Sequence, residues 1–350
     1  MRPIPKSLFN FSASYSGGGL KRLEAYSREF DRTGGAFFLI HPKSSYLVDS
    51  FKNNTYYIIS QSKISRLLKD GKYLSDILKK IGPIDFYYSY GIPIYSKIDA
   101  VAWLHISNVL PFAYKGVPMS IIDHIKMRYL GFIFKNNFKN ANVISAESNY
   151  SLTLICEKDK DKGFKSINGG DDELSLAGEG EGGSYLPIAV VLGTYRYKKI
   201  EDSFRVFEEL RSKDSPSLKM LIIGVEKFIP KYIIKNKNVI ISGLLHRSEV
   251  INKLQYAKYY ISTTCIENSY NAASEGIFFA KESFISDIGP HRELLSGLNY
   301  REVEMAGLTK KLLHIKKNDV FPINIKTWNQ VVAEMMAKVK QLLPPNVSES

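Results

Sequence analysis

The chain has 350 residues, of which 44% are hydrophobic and 12% aromatic, a globular composition with room for two domains that each bury a core. Lys and Arg outnumber Asp and Glu by 48 to 35, and the net charge of +13 suits an anionic partner: a nucleic acid, a membrane surface or a phosphate-rich substrate. No apolar run approaches the ~18 residues that a membrane span needs, which argues against an integral membrane protein.

The first residues and the two cysteines indicate the compartment. The opening stretch, MRPIPKSLFNFSASYSGGG, turns to serine and glycine before an apolar signal core forms, so a secreted protein is not expected. Cys156 and Cys265 are too few for a disulfide framework and lack metal-ligand spacing, which predicts two buried thiols in a reducing environment. We therefore expect a cytoplasmic protein, and the sequence calls for no metal or other cofactor.

Short apolar runs alternate with helical stretches in the first half of the chain. Runs that are apolar throughout and separated by helices predict a parallel sheet covered on both faces. The helices are predicted at about 19–32 and 118–139. The strands are predicted at 8–13, 36–41, 55–60, 84–90, 101–105 and 142–146.

A glycine-rich acidic stretch, GGDDELSLAGEGEGG, interrupts this pattern and predicts a linker over 171–185. Residues 1–170 would form one Rossmann-like domain, 186–325 a second, and 326–350 a helix that crosses back to the first. Two such doubly wound α/β domains in tandem would face each other across a cleft at the carboxyl ends of their strands. The strands of the second domain are predicted at 187–193, 218–224, 238–242, 259–263 and 282–286.

Three glycines, Gly17, Gly18 and Gly19, open the helix that follows the first predicted strand. Glycines there let the backbone approach an anion, and the N–H groups at a helix start attract phosphate. The dinucleotide fingerprint G-x-G-x-x-G is not met, because Arg22 takes the place of its third glycine. We favour a ligand-facing loop over a simple tight turn.

A similar strand-to-helix turn occurs in LGTYRYKKIEDSFRVFEEL at 192–210. Gly193 begins the turn, and Arg196, Lys198 and Lys199 lie between the strand and the helix. Three cations at the carboxyl end of a central strand would neutralise a diphosphate. Each of them, taken singly, also fits an ordinary solvated surface position.

Two glutamates, Glu267 and Glu275, stand eight positions apart in IENSYNAASEG, with no cation between them. The preceding strand places Glu267 in a loop and Glu275 on the following helix, so that both can face one ligand. Carboxylates suit the vicinal hydroxyls of a ribose, while the N–H groups at the helix start suit a phosphate. We expect the cations to sit away from both acids. The N–H groups in question belong to Asn268, Ser269 and Tyr270.

The E-x7-E spacing in IENSYNAASEGIFFAKESFISDIGPHREL resembles the signature of glycosyltransferase family 4, the retaining sugar-nucleotide transferases of the GT-B fold. The resemblance implies that Glu275 binds the ribose diol of the donor and that Glu267 lies beside the donor sugar. It implies that His105, from an acceptor-side first domain, lies near the reacting centre. The similarity extends over GGGLKRL, WLHISNVLPF, VISAESNYSLTL, SINGGDD, VVLGTYRYKKIEDS and KTWNQVV.

The resemblance also concerns the phosphates and the base of the donor. It implies that the cations of 196–199 and the amides after Glu267 bind the diphosphate, and that the base lies near 242–247. The sequence departs from the family pattern at two places: Thr194 follows Gly193 where the family commonly has arginine, and Lys199 occupies the place of a glycine. Arg196 is a substitute for the missing arginine if the loop is shortened.

The resemblance implies an enzyme that transfers a sugar from a nucleoside-diphosphate sugar to a saccharide in bacterial surface polysaccharide, O-antigen or lipopolysaccharide assembly. Together with the basic charge it favours a lipid-linked acceptor, and nothing in the sequence requires a metal. Retention of configuration allows a covalent intermediate or front-face attack, and the resemblance favours the second. One alternative is a sugar-nucleotide epimerase of the same fold. A nucleic-acid-binding protein is the alternative from another class, although zinc spacing and RNP-like motifs are missing from the sequence.

The stretch 117–142 mixes isoleucine and aromatic residues with Lys126, Arg128, Lys135 and Lys139. A basic amphipathic helix of this kind is typical of a protein that lies on an anionic leaflet, here the inner face of the cell membrane. A helix that covers the core of an α/β domain has a similar pattern.

Overall fold

The computed structural model describes residues 5–60, 73–156, 159–170, 185–317 and 326–344. The chain forms two compact units. Met1–Ala113, Ile125–Gly169 and Lys326–Ser350 make up the first, and Tyr114–His124 with Gly170–Ile325 the second. Most of the predicted linker, residues 171–184, lies outside the described residues.

Tyr114–His124 groups with the second unit, although the sequence analysis assigned all of 1–170 to the first. Within this segment Val117 is buried, whereas Ile121 and Ile122 are 80% and 78% exposed.

The first unit is built on a seven-stranded sheet in the order β3-β2-β1-β4-β5-β6-β7, and its strand pairs are parallel. Parallel neighbours need crossover connections, which the helices provide. The strands are β1 (Ser7–Phe11), β2 (Phe37–Ile40), β3 (Thr55–Ile58), β4 (Phe86–Tyr90), β5 (Val101–His105), β6 (Val143–Ala146) and β7 (Gly163–Lys165). The helices are α1 (Gly17–Asp31), α2 (Leu47–Ser50), α3 (73–81), α4 (Leu110–Ala113), α5 (Ile121–Asn137) and α6 (Asn149–Ile155).

One face of this sheet is an aromatic core centred on Phe9. Its ring lies 4.6 Å from that of Phe30 and 5.0 Å from that of Phe38. The C-terminal helix α12 (Trp328–Leu342) packs on the same face, where the buried ring of Trp328 meets Tyr26 edge-on at 6.3 Å. The last helix is thus part of the core of the first unit. Burial of one such ring contributes about 1.5–3 kcal/mol to the stability of that unit.

The second unit has a seven-stranded sheet in the order β10-β9-β8-β11-β12-β14-β13. The pairs among β8 to β12 are parallel, whereas β14 runs antiparallel to β12 and β13. The strands are β8 (Leu186–Leu192), β9 (Lys219–Ile223), β10 (Val239–Gly243), β11 (Ala257–Ser262), β12 (Glu282–Ser286), β13 (Arg301–Val303) and β14 (Leu312–Lys316). The helices are α7 (Ile200–Lys213), α8 (Lys231–Ile234), α9 (Arg247–Gln255), α10 (Asn271–Phe279) and α11 (Gly289–Leu294).

Both units are therefore Rossmann-like α/β domains, which confirms the predicted fold class. Of the two cysteines, Cys156 is buried and Cys265 partly buried, and both are free thiols. Among the described residues, no helix combines the length and the apolar character needed to cross a bilayer.

Candidate functional site

The carboxyl edge of the second sheet brings together two loops that the sequence analysis singled out. The loop after β8 carries Arg196 to Lys199, and the loop after β11 leads to Glu267. They are tied by hydrogen bonds: Thr263 Oγ1 donates to the carbonyl of Lys199 at 2.8 Å, and Cys265 N–H donates to that of Tyr197 at 2.9 Å. Side chains from both loops consequently share one surface.

Glu267 is paired with Lys198, which donates a hydrogen bond from Nζ to Oε1. The side chains are 20% and 13% exposed, so the pair is largely shielded from solvent. The expectation that the cations sit away from the acids is wrong for this glutamate. It failed because helical spacing shows only partners on the same helix, whereas Lys198 comes from another strand-to-helix turn.

Glu275 is held by Arg247 in a bidentate ion pair. Nη1 and Nη2 of Arg247, the first residue of α9, donate to Oε2 and Oε1 of Glu275 on α10 at 2.7 and 2.6 Å. The fork geometry makes this one of the stronger kinds of charged hydrogen bond. The expectation of an acid away from cations is wrong here too, and the sequence analysis missed Arg247. The only signal was its place in the segment 242–247, assigned to the base.

The residues Asn268, Ser269 and Tyr270 lie directly before α10, as the sequence predicts. The side chain of Tyr270, the residue before the helix, makes no capping hydrogen bond, and the first turn holds no acid. N–H groups and the helix dipole at such a terminus favour an anion. The start of α10 is thus chemically suited to a phosphate.

The three cations of the β8 loop do not converge. Arg196 is exposed, while Lys198 is committed to Glu267. Lys199 lies 3.6 Å from Asp202 and lines a separate cavity of about 230 Å³ that also contains Arg205. Of the three, Lys198 is consequently the cation that lies beside Glu267.

Lys199 has a backbone φ of 49°, in the left-handed region. Glycine adopts this conformation at little cost, whereas a residue with a Cβ is strained by roughly 1–2 kcal/mol. This agrees with the resemblance, which expects glycine at the position.

The glycines of the first unit have different roles. Gly17 begins α1 with a φ of 60°, and both Gly17 and Gly18 are exposed. A Cβ on Gly19 would lie 2.9 Å from the ring of Tyr90, so this glycine is required by packing. Only the first two are open to a ligand.

His105 is fully buried at the end of β5, with its ring stacked on Tyr90 at 5.0 Å. Ser145 Oγ accepts from Trp103 Nε1 at 2.7 Å and lies 2.8 Å from His105 Nδ1. The other ring nitrogen, Nε2, lies 3.6 Å from Glu147 Oε1. The ring has no contact with solvent in this arrangement.

A buried network around Arg22 was missed by the sequence analysis. Arg22 is fully buried and donates to Asn168 Oδ1 at 3.0 Å and to Ser166 Oγ at 2.9 Å. Its Nη2 lies 3.8 Å from Glu147, the carboxylate next to His105. An arginine on the core side of α1 was the available signal, but it was considered only as the residue that replaces a glycine.

The architecture defines the class: two Rossmann-like domains of the GT-B fold. A glycosyltransferase from Rickettsia africae ESF-5 has 15% identity and a TM-score of 0.57, over 83% of this chain and 81% of its own. HepE of Anabaena, solved with UDP-glucose, has 12% identity and a TM-score of 0.54 over 96% and 90%. A UDP-forming trehalose-phosphate synthase from Burkholderia vietnamiensis has 9% identity and a TM-score of 0.53 over 84% and 87%.

These likenesses concern the fold. No protein-family model matches the chain, and no curated protein sequence matches it.

Replacing Lys199 by glycine is expected to stabilise the ligand-free protein. Removal of the Cβ relieves the left-handed strain, worth about 1 kcal/mol or a rise of about 2–4 °C in Tm for a domain of this size. Lys199→Ala, which removes the amine but keeps the Cβ, is the matched control and should gain little. Tm is measured by calorimetry. If the alanine variant gains as much in Tm as the glycine variant, backbone strain is not the cause.

Acidification is expected to destabilise the first unit through His105. Burial, and secondarily the Arg22 charge, lowers the pKa of His105 to about 4, below its ordinary value of 6.5. His105 therefore binds a proton more tightly in the unfolded chain than in the folded one. The contribution of neutral His105 to the free energy of unfolding is fully present above pH 6.5 and is lost as the pH falls toward 4. The loss at pH 5 is on the order of 2 kcal/mol. His105→Gln should flatten the pH dependence of Tm between pH 7 and 5. An equally steep profile in the variant would contradict this account.

Proposed function

We propose that this protein is a retaining GT-B glycosyltransferase that uses a nucleoside-diphosphate sugar as donor. The observation that carries the proposal is the pair of Lys198 and Glu267 just before α10, with Glu275 on that helix, at the carboxyl edge of a parallel sheet. Ligands of open α/β sheets bind at this edge. Structural neighbours solved with UDP-glucose or described as UDP-forming support the choice of donor class.

Glu275 would bind the ribose diol of the donor. A carboxylate whose two oxygens each accept one bond from Arg247 still has lone pairs free for two hydroxyls. The bidentate pair fixes its orientation in advance, which reduces the entropy lost on binding. Arg247 is thus proposed as the residue that positions Glu275.

The diphosphate would lie at the start of α10. The N–H groups of Asn268 to Tyr270 and the amine of Lys198 would stabilise the negative charge that develops on the leaving phosphate. Lys198 would move from Glu267 to the phosphate, which leaves the Glu267 carboxylate beside the sugar. Arg196, exposed on the same loop, is a second cation for the phosphates.

For retention we propose front-face attack, in which the acceptor hydroxyl approaches on the side of the leaving phosphate and gives its proton to it. The bond from the anomeric carbon to phosphate breaks, and that to the acceptor oxygen forms. The ring passes through an oxocarbenium-like state that the Glu267 carboxylate would stabilise. The resemblance assigns His105 a part in this step. We propose that no metal is needed, since Lys198 and the helix amides supply the charge.

The acceptor is proposed to be a lipid-linked saccharide of surface polysaccharide assembly, reached at the inner face of the membrane. Helix α5 supports this, because several of its large apolar residues face solvent while Met127 and Phe134 are buried. Ile125, Tyr129 and Phe132 are 65%, 56% and 62% exposed, and Lys126 and Arg128 are exposed beside them. Apolar side chains with neighbouring cations suit an anionic leaflet.

Nucleotide binding is expected to depend on Glu275. A thermal-shift screen with UDP, GDP, dTDP, CMP and ADP, each in EDTA, should reveal one stabilising nucleotide. At 100 times its Kd, this ligand adds about 2.7 kcal/mol. Glu275→Gln, which keeps the side-chain shape, should lose the shift, and Glu304→Ala, an exposed acid of the same unit, should keep it. No shift with any nucleotide, or full binding by Glu275→Gln, would refute the proposed donor site.

Consumption of the sugar nucleotide without an acceptor would indicate an epimerase.

Vesicle binding is expected to depend on α5. Ile122→Ser/Ile125→Ser/Phe132→Ser should sediment less with vesicles of phosphatidylglycerol and phosphatidylcholine, because the exposed apolar groups no longer enter the leaflet. The three residues are exposed, so Tm should stay nearly unchanged. Leu244→Ser/Tyr232→Ser, at exposed positions of the second unit, is the control. Equal sedimentation of wild type and triple variant would exclude this helix as the contact. Steep salt-dependent binding to DNA or RNA would favour the nucleic-acid alternative.

A further inference from the structure

Three aromatic rings form a cluster on the loops after β8 and β9. Tyr195 is 56% exposed, and its ring stacks on that of Tyr197 with centroids 5.6 Å apart and planes within 7°. The ring of Phe228, from the β9 loop, lies 6.1 Å from Tyr195 at an angle of 38°. We call these three residues the aromatic platform. Its outer ring, Tyr195, has exposed surface available to a ligand.

The two loops that carry the platform are fixed to each other. Thr194 Oγ1 donates to the carbonyl of Val225 at 2.7 Å. A Cβ on Gly224 would lie 2.8 Å from Thr194 Cγ2, so the loops approach as closely as glycine permits. Thr194 is the residue at which the sequence departs from the family pattern. Here it joins the loops and holds the rings in a preformed arrangement, which lowers the entropy cost of binding.

The platform adjoins the pair of Lys198 and Glu267. The amine of Lys198 lies 5.7 Å from the ring centroid of Tyr197 and donates to Glu267. In the sheet order β10-β9-β8-β11, the platform loops lie between the loop at 242–247 and the loop that leads to Glu267. A nucleotide sugar bound along this edge would pass the platform.

We propose that the aromatic platform stacks against a ring of the nucleotide-sugar donor, an inference that rests on the proposed function. The base and the transferred sugar of such a donor each have a face that an aromatic side chain recognises. A nucleobase offers its π system, and a sugar ring its C–H groups, which the negative face of tyrosine attracts. Isolated exposed aromatic residues are common on protein surfaces. The platform differs because its rings are stacked, come from two joined loops and lie beside the proposed site.

The test measures affinity by titration calorimetry for nucleoside diphosphates and for UDP-glucose and GDP-mannose. Tyr195→Ala should weaken binding by about 5- to 100-fold, the effect of losing one stacked ring. Tyr195→Phe keeps the ring and should bind as wild type does. Tyr232→Ala is the matched control, since Tyr232 is 57% exposed in the same unit but is not in the platform.

The two arms identify the ring. Weaker binding of the free diphosphate shows that the base stacks, and weaker binding of only the sugar nucleotide shows that the sugar does. Wild-type affinity of Tyr195→Ala for every ligand, with binding still lost in Glu275→Gln, overturns the platform and leaves the proposed function intact. If wild type binds none of the ligands, the proposed function fails and the platform with it.

Discussion

The parallel pairing of β8 with β9 and β11 is the constraint on which the candidate site depends. These strands are distant in sequence, yet their carboxyl ends must lie on one edge once they pair in this order. The hydrogen bonds from Thr263 and Cys265 to the β8 loop extend this pairing beyond the strands. Both the ion pair of Glu267 and the aromatic platform form because the loops that carry them lie side by side on that edge.

Charge burial explains why both glutamates have cations. Removing a carboxylate from water costs several kcal/mol unless a cation and hydrogen bonds replace the solvent. Glu267 and Glu275 are 20% and 12% exposed, and each has one basic partner from another element. Under the proposed function, a donor would exchange part of these ion pairs for contacts of its own hydroxyls and phosphates.

The sequence predicted the parallel strands well, because each is a short apolar run between helices. The strands at 101–105 and 282–286 have the predicted bounds, and β8 is displaced by one residue from 187–193. The strands β7, β13 and β14 were not predicted. Arg301–Val303 is short and charged, so it does not form an apolar run. Strand β14 joins the sheet in the antiparallel direction, and an alternation of strands and helices predicts only parallel strands.

Periodicity could not show the contacts of the site. Arg247 and Glu275 are 28 residues apart and Lys198 and Glu267 are 69, so no local spacing links them. The sequence placed His105 at a strand end but could not show that Tyr90 and Ser145 enclose it, since that depends on the pairing of β5 with β4 and β6.

The antiparallel pair β14 and β13 has a consequence for self-association. An unpaired sheet edge offers backbone groups to a strand of another copy, and flat apolar edges promote aggregation. At this side, the second sheet ends in a strand of only three residues, two of which, Arg301 and Glu302, are exposed. Glu302 also takes part in ion pairs with Arg292 and Lys311. Such a short, charged edge resists the addition of a strand from another copy of the chain. Even at high local concentration, copies would not associate through this edge.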